Sequence, residues 1–364
     1  MKRDSQQRVV GDQVGIARTR IWMKARSKRA TAGSAHRLSI LPLDAVGANG
    51  RSRSGRHKRG WRCENRSEVT VLACAAVARI PHIFHFVFGL RRQRAPFHLA
   101  HYLCLESCLQ VNQPDQLLFH YREEPYGPYW ERIRTRITPA PIADMDVVPH
   151  LEYPHRGMEK ERYAHESDFI RLAILLRTGG VYADIDTIFV NPLDGGLYEK
   201  PFVIGRESEV AQHAGEAPTA ALCNAFLMAE PASEFARLWL EQMPDFFDGS
   251  WSAHSTQLPE LLRAQQPQLL QVEPERSFYP HMWTREGIAA LFEQLQPDFG
   301  GVYSMHLWAH LWWSRWRRDF SRFHAGALTE DYVRAARTTY ALAAQPILAA
   351  ASARFDSPAS RARS

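Results

Sequence analysis

The chain has 364 residues, enough to bury one large core or two small ones. Its formal charge of +6 is unevenly spread: residues 1–68 hold 17 Lys/Arg against 5 Asp/Glu, which leaves 28 against 34 for residues 69–364. The part with apolar periodicity is therefore mildly acidic, and the overall basicity is no footprint of nucleic acid binding.

Residues 1–68 are basic, rich in Ser, Gly and Arg, and lack sustained apolar periodicity. They are expected to be a disordered extension outside the fold. A basic arm that touches anionic lipid or nucleic acid is the functional alternative. Val69–Ala78 (VTVLACAAVA) follows that run and invites a signal or lipoprotein reading at Cys74. It lies too far into the chain for a cleaved signal and is shorter than the roughly 18 apolar residues a spanning helix needs. The cysteines, Cys63, Cys74, Cys104, Cys108 and Cys223, are odd in number and form no CxxC pair, which suits a reducing compartment.

The fold is expected to begin at Arg79. Ile80–Gly89 (IPHIFHFVFG) reads as a buried first strand ending at a glycine turn. Pro96–Val111 suits a helix, Leu117–Arg122 a strand, Gly127–Arg136 a short helix, and Ile137–Val148 a strand or extended link. This alternation predicts an α/β sandwich around a largely parallel sheet, in which ligands gather at the carboxyl ends of strands.

From Glu166 to Arg177 the polar residues leave a wide apolar face that includes Phe169, Ile170, Leu172 and Leu175. A helix packed on both flanks is predicted, stopped by Gly179-Gly180. Asp168 and Arg171 stand three apart and share one side of it. Val181–Val190 is predicted as one strand, with Tyr182, Asp184, Asp186 and Ile188 on one face. Two carboxylates directed the same way repel unless a cation joins them, and a hard divalent ion, which often brings phosphates, removes the conflict. The plainer alternative is a strand end where both face water.

Pro201–Gly205 reads as a strand, and Ala232–Met243 as a helix. Val302–Trp308 reads as a strand end opening a tryptophan-rich run. A tryptophan-rich lid with His306 and His310 on its surface is the alternative. Residues 327–352 read as an alanine-rich helix.

Asp168, Arg171, Gly179-Gly180, Tyr182 and Asp184-Ile185-Asp186 together resemble the S-D-x-x-R…G-G-x-Y-x-D-x-D signature of the DXD sugar-transferase region. Family 32 glycosyltransferases carry it: the yeast initiating α-1,6-mannosyltransferase and bacterial capsule enzymes. So do α-1,4-galactosyl- and α-1,4-N-acetylglucosaminyltransferases and, more distantly, the clostridial glucosylating toxins. Haloacid-dehalogenase phosphatases also end a strand in DxD, but Ile188 stands where those have Thr or Val, and the glycine of their loop is missing.

The resemblance implies a GT-A type nucleotide-sugar-binding domain over residues 79–326, followed by a helical tail at 327–364. The opening strand resembles I-P-K-I-I-H-x-x-W-x-G, with Phe88 in place of Trp, which implies that Phe88 stacks on the nucleotide base. His85 either bonds near the base or is a satisfied core histidine. Asn224 falls in the x-N-A-x-M/L-A segment and is either a donor-sugar or acceptor contact or a buried cap. His306 with Trp308 resembles the C-terminal H-x-W motif, whose His side approaches metal and diphosphate. SAHSTQLPELL departs from the usual Gly-Pro turn, so the acceptor side is unassigned, with His254 beside it.

The expected activity is metal-dependent transfer of a hexose from a nucleotide-diphosphate sugar to a hydroxyl of a glycan or glycolipid, with retention. Mn²⁺ or Mg²⁺ is held by Asp184, Asp186 and His306. Asp168, Arg171, Asp184 and Asp186 carry the chemistry, and Tyr182, Asn224 and Trp308 line the donor. Alternatives are a silent nucleotide-sugar or polysaccharide-binding module and a protein-modifying effector transferase. No nucleic acid partner is expected. The location is expected to be cytoplasmic, with peripheral contact at the inner face of the membrane left open.

Overall fold

Four consecutive buried side chains in the middle of β1 (Ile83–Phe88) place that strand inside a sheet covered on both faces. The structure is a computed structural model that describes residues 79–142, 148–154, 157–207 and 220–356. The extension at 1–68, with Cys63, and the Val69–Ala78 segment with Cys74 lie outside those residues. Everything described belongs to a unit that starts at Ala76.

After β1 come α1 (Leu99–Ser107), β2 (Gln116–Tyr121), α2 (Pro128–Ile133) and β3 (Thr138–Pro141). The long helix α3 (Arg162–Thr178) leads to β4 (Gly180–Ala183) and the short β5 (Thr187–Phe189). β6 (Phe202–Glu207), β7 (Ala221–Ala229), α4 (Glu234–Phe246), α5 (Leu258–Gln265) and β8 (Gln271–Glu273) follow. The chain closes with α6 (Arg285–Phe292), β9 (Ser304–His306) and α7 (Thr339–Asp356).

The main sheet has the order β3-β2-β1-β4-β7-β6-β8. β7 pairs antiparallel with both neighbours, and all other pairs are parallel. The expected α/β sandwich with a largely parallel central sheet is the architecture observed. One face buries Phe84, Phe86, Leu103, Phe119 and Trp130 under α1, α2 and α7. The other buries Val87, Phe169, Leu172, Leu227 and Trp239 under α3 and α4. Helix α7, inside the segment expected to be a tail, packs against α1 and α6 and shares the first core. Arg136 and Arg354 both pair with the fully buried Glu106, which clasps the end of α7 to α1.

One predicted element is corrected. Val181–Val190 is not a single strand: β4 ends at Ala183, Asp184–Asp186 form a turn, and β5 leaves the main sheet to pair antiparallel with β9. A strand with two adjacent buried carboxylates would have to hide both. The break instead puts them at a sheet edge that remains partly accessible.

Cys104, Cys108 and Cys223 are buried free thiols. Among the described residues no helix is long and apolar enough to cross a membrane.

Candidate active site

The cluster is assembled from the turn between β4 and β5, which carries Asp184 and Asp186, and from strand β9, which carries His306, with helix α3 behind them. Helix α3 ends because Gly179 and Gly180 take φ of +65° and +108°, conformations that side-chain-bearing residues avoid. β4 then runs alongside β1, and Asp184 is fixed at its carboxyl end by a backbone N–H bond to Ala225 O at 2.8 Å. β9 brings in the third member: Thr187 faces His306 in the β5–β9 ladder, and the Leu307 N–H donates to Asp186 O at 2.8 Å.

His306 Nε2 lies 3.1 Å from Asp186 Oδ1 and 3.7 Å from Asp184 Oδ2. One ligand atom from each of the three residues falls within 4.8 Å of the other two. Burial raises the Asp186 pKa, but the facing His306, its hydrogen bond and the Ala309 N–H outweigh this and hold the carboxyl well below the usual range. Burial pushes Asp184 up, and Arg171 and His306 only partly offset the push. Burial lowers His306, and Asp186 more than compensates, so the imidazole stays charged above its ordinary value.

A proton on Nε2 thus sits where a cation would. The donor set of two carboxylate oxygens and one imidazole nitrogen suits Mn²⁺ and, through the oxygens, Mg²⁺. A ligating histidine ordinarily donates its other nitrogen to a neighbour. Nδ1 of His306 is buried with no hydrogen-bond partner among the described residues, so the two carboxylates fit the ion better than the imidazole does.

Behind this edge lies a second polar layer. Arg171, buried, reaches Asp168 Oδ1 at 3.1 Å and Asp184 Oδ1 at 3.3 Å, donates to Asn224 O at 2.7 Å, and lies 4.7 Å from the Tyr182 ring centre. The Tyr182 hydroxyl donates to Asp184 Oδ1 at 2.6 Å. Asp168 accepts from Asn224 Nδ2 at 2.8 Å and pairs with His254 Nε2 at 2.9 Å. Despite deep burial, Arg171 and His254 keep the Asp168 carboxyl below its ordinary pKa. Its Oδ2 retains a lone pair for one more donor.

The remaining sequence candidates fall into two groups. Trp308, at φ +54°, packs its ring edge-on to His306 at 4.3 Å and spends its indole N–H on His281 O. Phe88 closes the end of β1 against Phe97, His101 and Phe119, and His101 in turn stacks on Trp313. His85 is not brought to the cluster: it is fully buried, with Nε2 on Gly179 O at 2.9 Å, at the opposite end of β4 from Asp184, and Nδ1 on His120 at 3.1 Å. It is a satisfied core histidine, one of the two roles its position left open.

Sequence reasoning underrated His254, whose contact with Asp168 crosses 86 residues of chain. Glu207, at the end of β6, was missed. Burial pushes its carboxyl up to about 7 even though the Trp283 N–H bonds it at 2.5 Å. No spacing in PFVIGRE marks it. Two surface hollows, one lined by Asn191 and Phe299–Tyr303 and the other by Arg276, His281 and Leu295–Phe299, include no residue of the cluster.

Residues 135–204, which carry Asp168, Arg171, Tyr182, Asp184 and Asp186, match the family model described as "Glycosyltransferase sugar-binding region containing DXD motif". The chain is glycosyltransferase-like, with that region set at the edge of an α/β sandwich. Over 241 residues it is 32% identical to "Glucan organizing enzyme 1" of Cryptococcus neoformans var. grubii serotype A, across 64% of this chain and 63% of that protein. The chain thus spans less than two thirds of that relative. A PaToxG glycosyltransferase structure overlaps 52% of this chain and 76% of its own at TM-score 0.36 and 17% identity. A transferase mutant structure overlaps 52% and 85% at TM-score 0.34 and 10% identity. These two overlaps are too loose to bear on function.

Proposed function

We propose that this protein transfers a hexose from a nucleotide-diphosphate sugar to a hydroxyl group of a glycan or glycolipid, with a divalent ion held by Asp184, Asp186 and His306. The observation that carries the reading is the convergence of those three side chains at a strand end, backed by an arginine–carboxylate layer. Bound there, Mn²⁺ or Mg²⁺ supplies positive charge against the diphosphate leaving group. Arg171 fixes Asp168 and Asp184 in one plane of charge. Asp168, kept ionised and oriented by three donors, accepts from a hydroxyl of the donor sugar. Asn224 tightens that carboxylate and lines the same wall. Phe88 offers an aromatic surface for the base, while Trp308, buried, backs His306.

The name of the fungal relative speaks of glucan, which favours a glycan over a protein as acceptor. We further propose retention of the anomeric configuration, on the family resemblance alone. The test is release of free sugar from a panel of uridine and guanosine diphosphate sugars with Mn²⁺. Slow hydrolysis that stops on chelation supports the reading. Donor binding without any hydrolysis or transfer marks a silent binding module instead.

A further inference from the structure

Beside the cluster the chain exposes an aromatic–arginine face that the transfer chemistry does not use. Trp316 is 76% exposed, the most of any large hydrophobic side chain among the described residues. It follows the helical turn Ala309–Trp312, whose Ala309 N–H holds Asp186. The run 312–323 (WWSRWRRDFSRF) contains four arginines against one acid, Asp319. Arg317 takes that acid at 3.4 Å, while Arg315, Arg318 and Arg322 stay exposed. Arg315 lies 4.5 Å from the Trp316 ring centre, at the same surface.

A second basic segment abuts the first. His98 contacts the Trp313 ring at 4.8 Å and bonds Ala325 O at 3.1 Å. The residues just before it, 91–94 (RRQR), carry three arginines and no acid, with Arg92 and Arg94 exposed. Glu123, exposed, takes the Gln93 amide on its backbone oxygen and is an acid beside this segment. Trp251, also exposed, stacks on His310 at 5.0 Å and extends the aromatic rim toward the cluster.

A tryptophan held in the open costs hydration free energy that a folded protein ordinarily avoids by burying it, whereas an indole amid basic side chains matches the headgroup level of an anionic bilayer. We infer that this face docks on an anionic lipid surface, with Trp316 as interfacial anchor and Arg315, Arg318 and Arg322 as headgroup contacts. Docked so, the rim of the cluster would meet acceptors carried by the membrane, a consequence that rests on the proposed transfer. The docking itself does not, because it is read without donor.

The test uses the full chain with vesicles of phosphatidylcholine, alone or mixed with phosphatidylglycerol whose acyl chains carry bromine as a short-range quencher of indole fluorescence. Residues 1–68 are strongly basic, so sedimentation alone would not separate their binding from that of this face. In a Trp22→Phe/Trp61→Phe background, which removes the indoles of residues 1–68, quenching by the anionic vesicles that falls sharply in Trp316→Phe, and that needs about tenfold or more lipid in Arg315→Gln/Arg318→Gln/Arg322→Gln, is the expected result. Quenching unchanged by Trp316→Phe in that background, or a triple variant quenched at the same lipid concentration as the parent, would overturn the inference. So would arginine-dependent binding to a soluble polyanion with no quenching by vesicles.

Discussion

Asp186 accepts the backbone N–H of Ala309 on Oδ2 at 2.7 Å, a contact that spans 123 residues of sequence. With the Leu307 N–H on the Asp186 carbonyl, it ties the acidic turn to the C-terminal strand and makes His306 a fixed neighbour. The carboxylate therefore has a structural part besides any ligand role, and substitutions can divide the two.

Asp186→Asn keeps an acceptor for Ala309, and Asp186→Ala does not. The alanine variant should lose about 1–3 kcal/mol through the orphaned N–H, while the asparagine variant melts close to the parent. Denaturant unfolding of both, compared at one pH, checks this.

Arg171 is buried against two carboxylates. Arg171→Ala should cost about 3–5 kcal/mol, because it leaves Asp168 and Asp184 without their cation. Arg171→Lys should recover only part of that, since an ammonium cannot span Asp168, Asp184 and the Asn224 carbonyl with one planar fork. Thermal melts of the two variants rank them.

His85 and His120 form a buried neutral pair, held down to about 4 and about 3, chiefly by burial. Gly179 O can only accept, so His85 carries its proton on Nε2 and accepts from His120 on Nδ1. Both titrate near 6.5 when unfolded, so below that pH the unfolded chain takes up protons the folded chain refuses. Stability should be flat above pH 6.5 on this account and fall as the pH drops toward 4, by about 3 kcal/mol for His85 alone. Stability measured against pH should be flatter across that window in His85→Gln/His120→Gln.

A Cβ on Gly180 would lie 2.5 Å from Ile83 O and 2.9 Å from His85 Nε2, at a φ of +108°. Gly180→Ala should therefore destabilise by about 2–4 kcal/mol and loosen the β1–β4 pairing that carries Asp184. Hydrogen exchange of the Val181 and Tyr182 amides reports the loosening directly.

Much of this was legible in the sequence. The β–α alternation located β1, β2 and β6 to within a few residues, because each is an apolar run bounded by Gly or Pro, and the apolar face stopped by Gly179-Gly180 located α3. Asp168, Arg171, Tyr182 and Asp184 were readable as one group because a helix and the strand after it bring them together locally. The β4–β5 break was not readable. Val181–Val190 has uninterrupted strand propensity, and only pairing with β9, more than a hundred residues on, pulls its second half out of the sheet. His254 and Glu207 were hidden for a related reason: their partners are distant in sequence and no spacing rule links them.

The proposed transfer rests on Asp184, Asp186 and His306 acting as a site for a divalent cation. The most direct measurement is Mn²⁺ binding by calorimetry or electron spin resonance, on the parent chain and on folded Asp186→Asn. Saturable binding by the parent, lost in the variant while it still melts cooperatively, is the expected result. No binding by the parent, or equal binding by both, would contradict it.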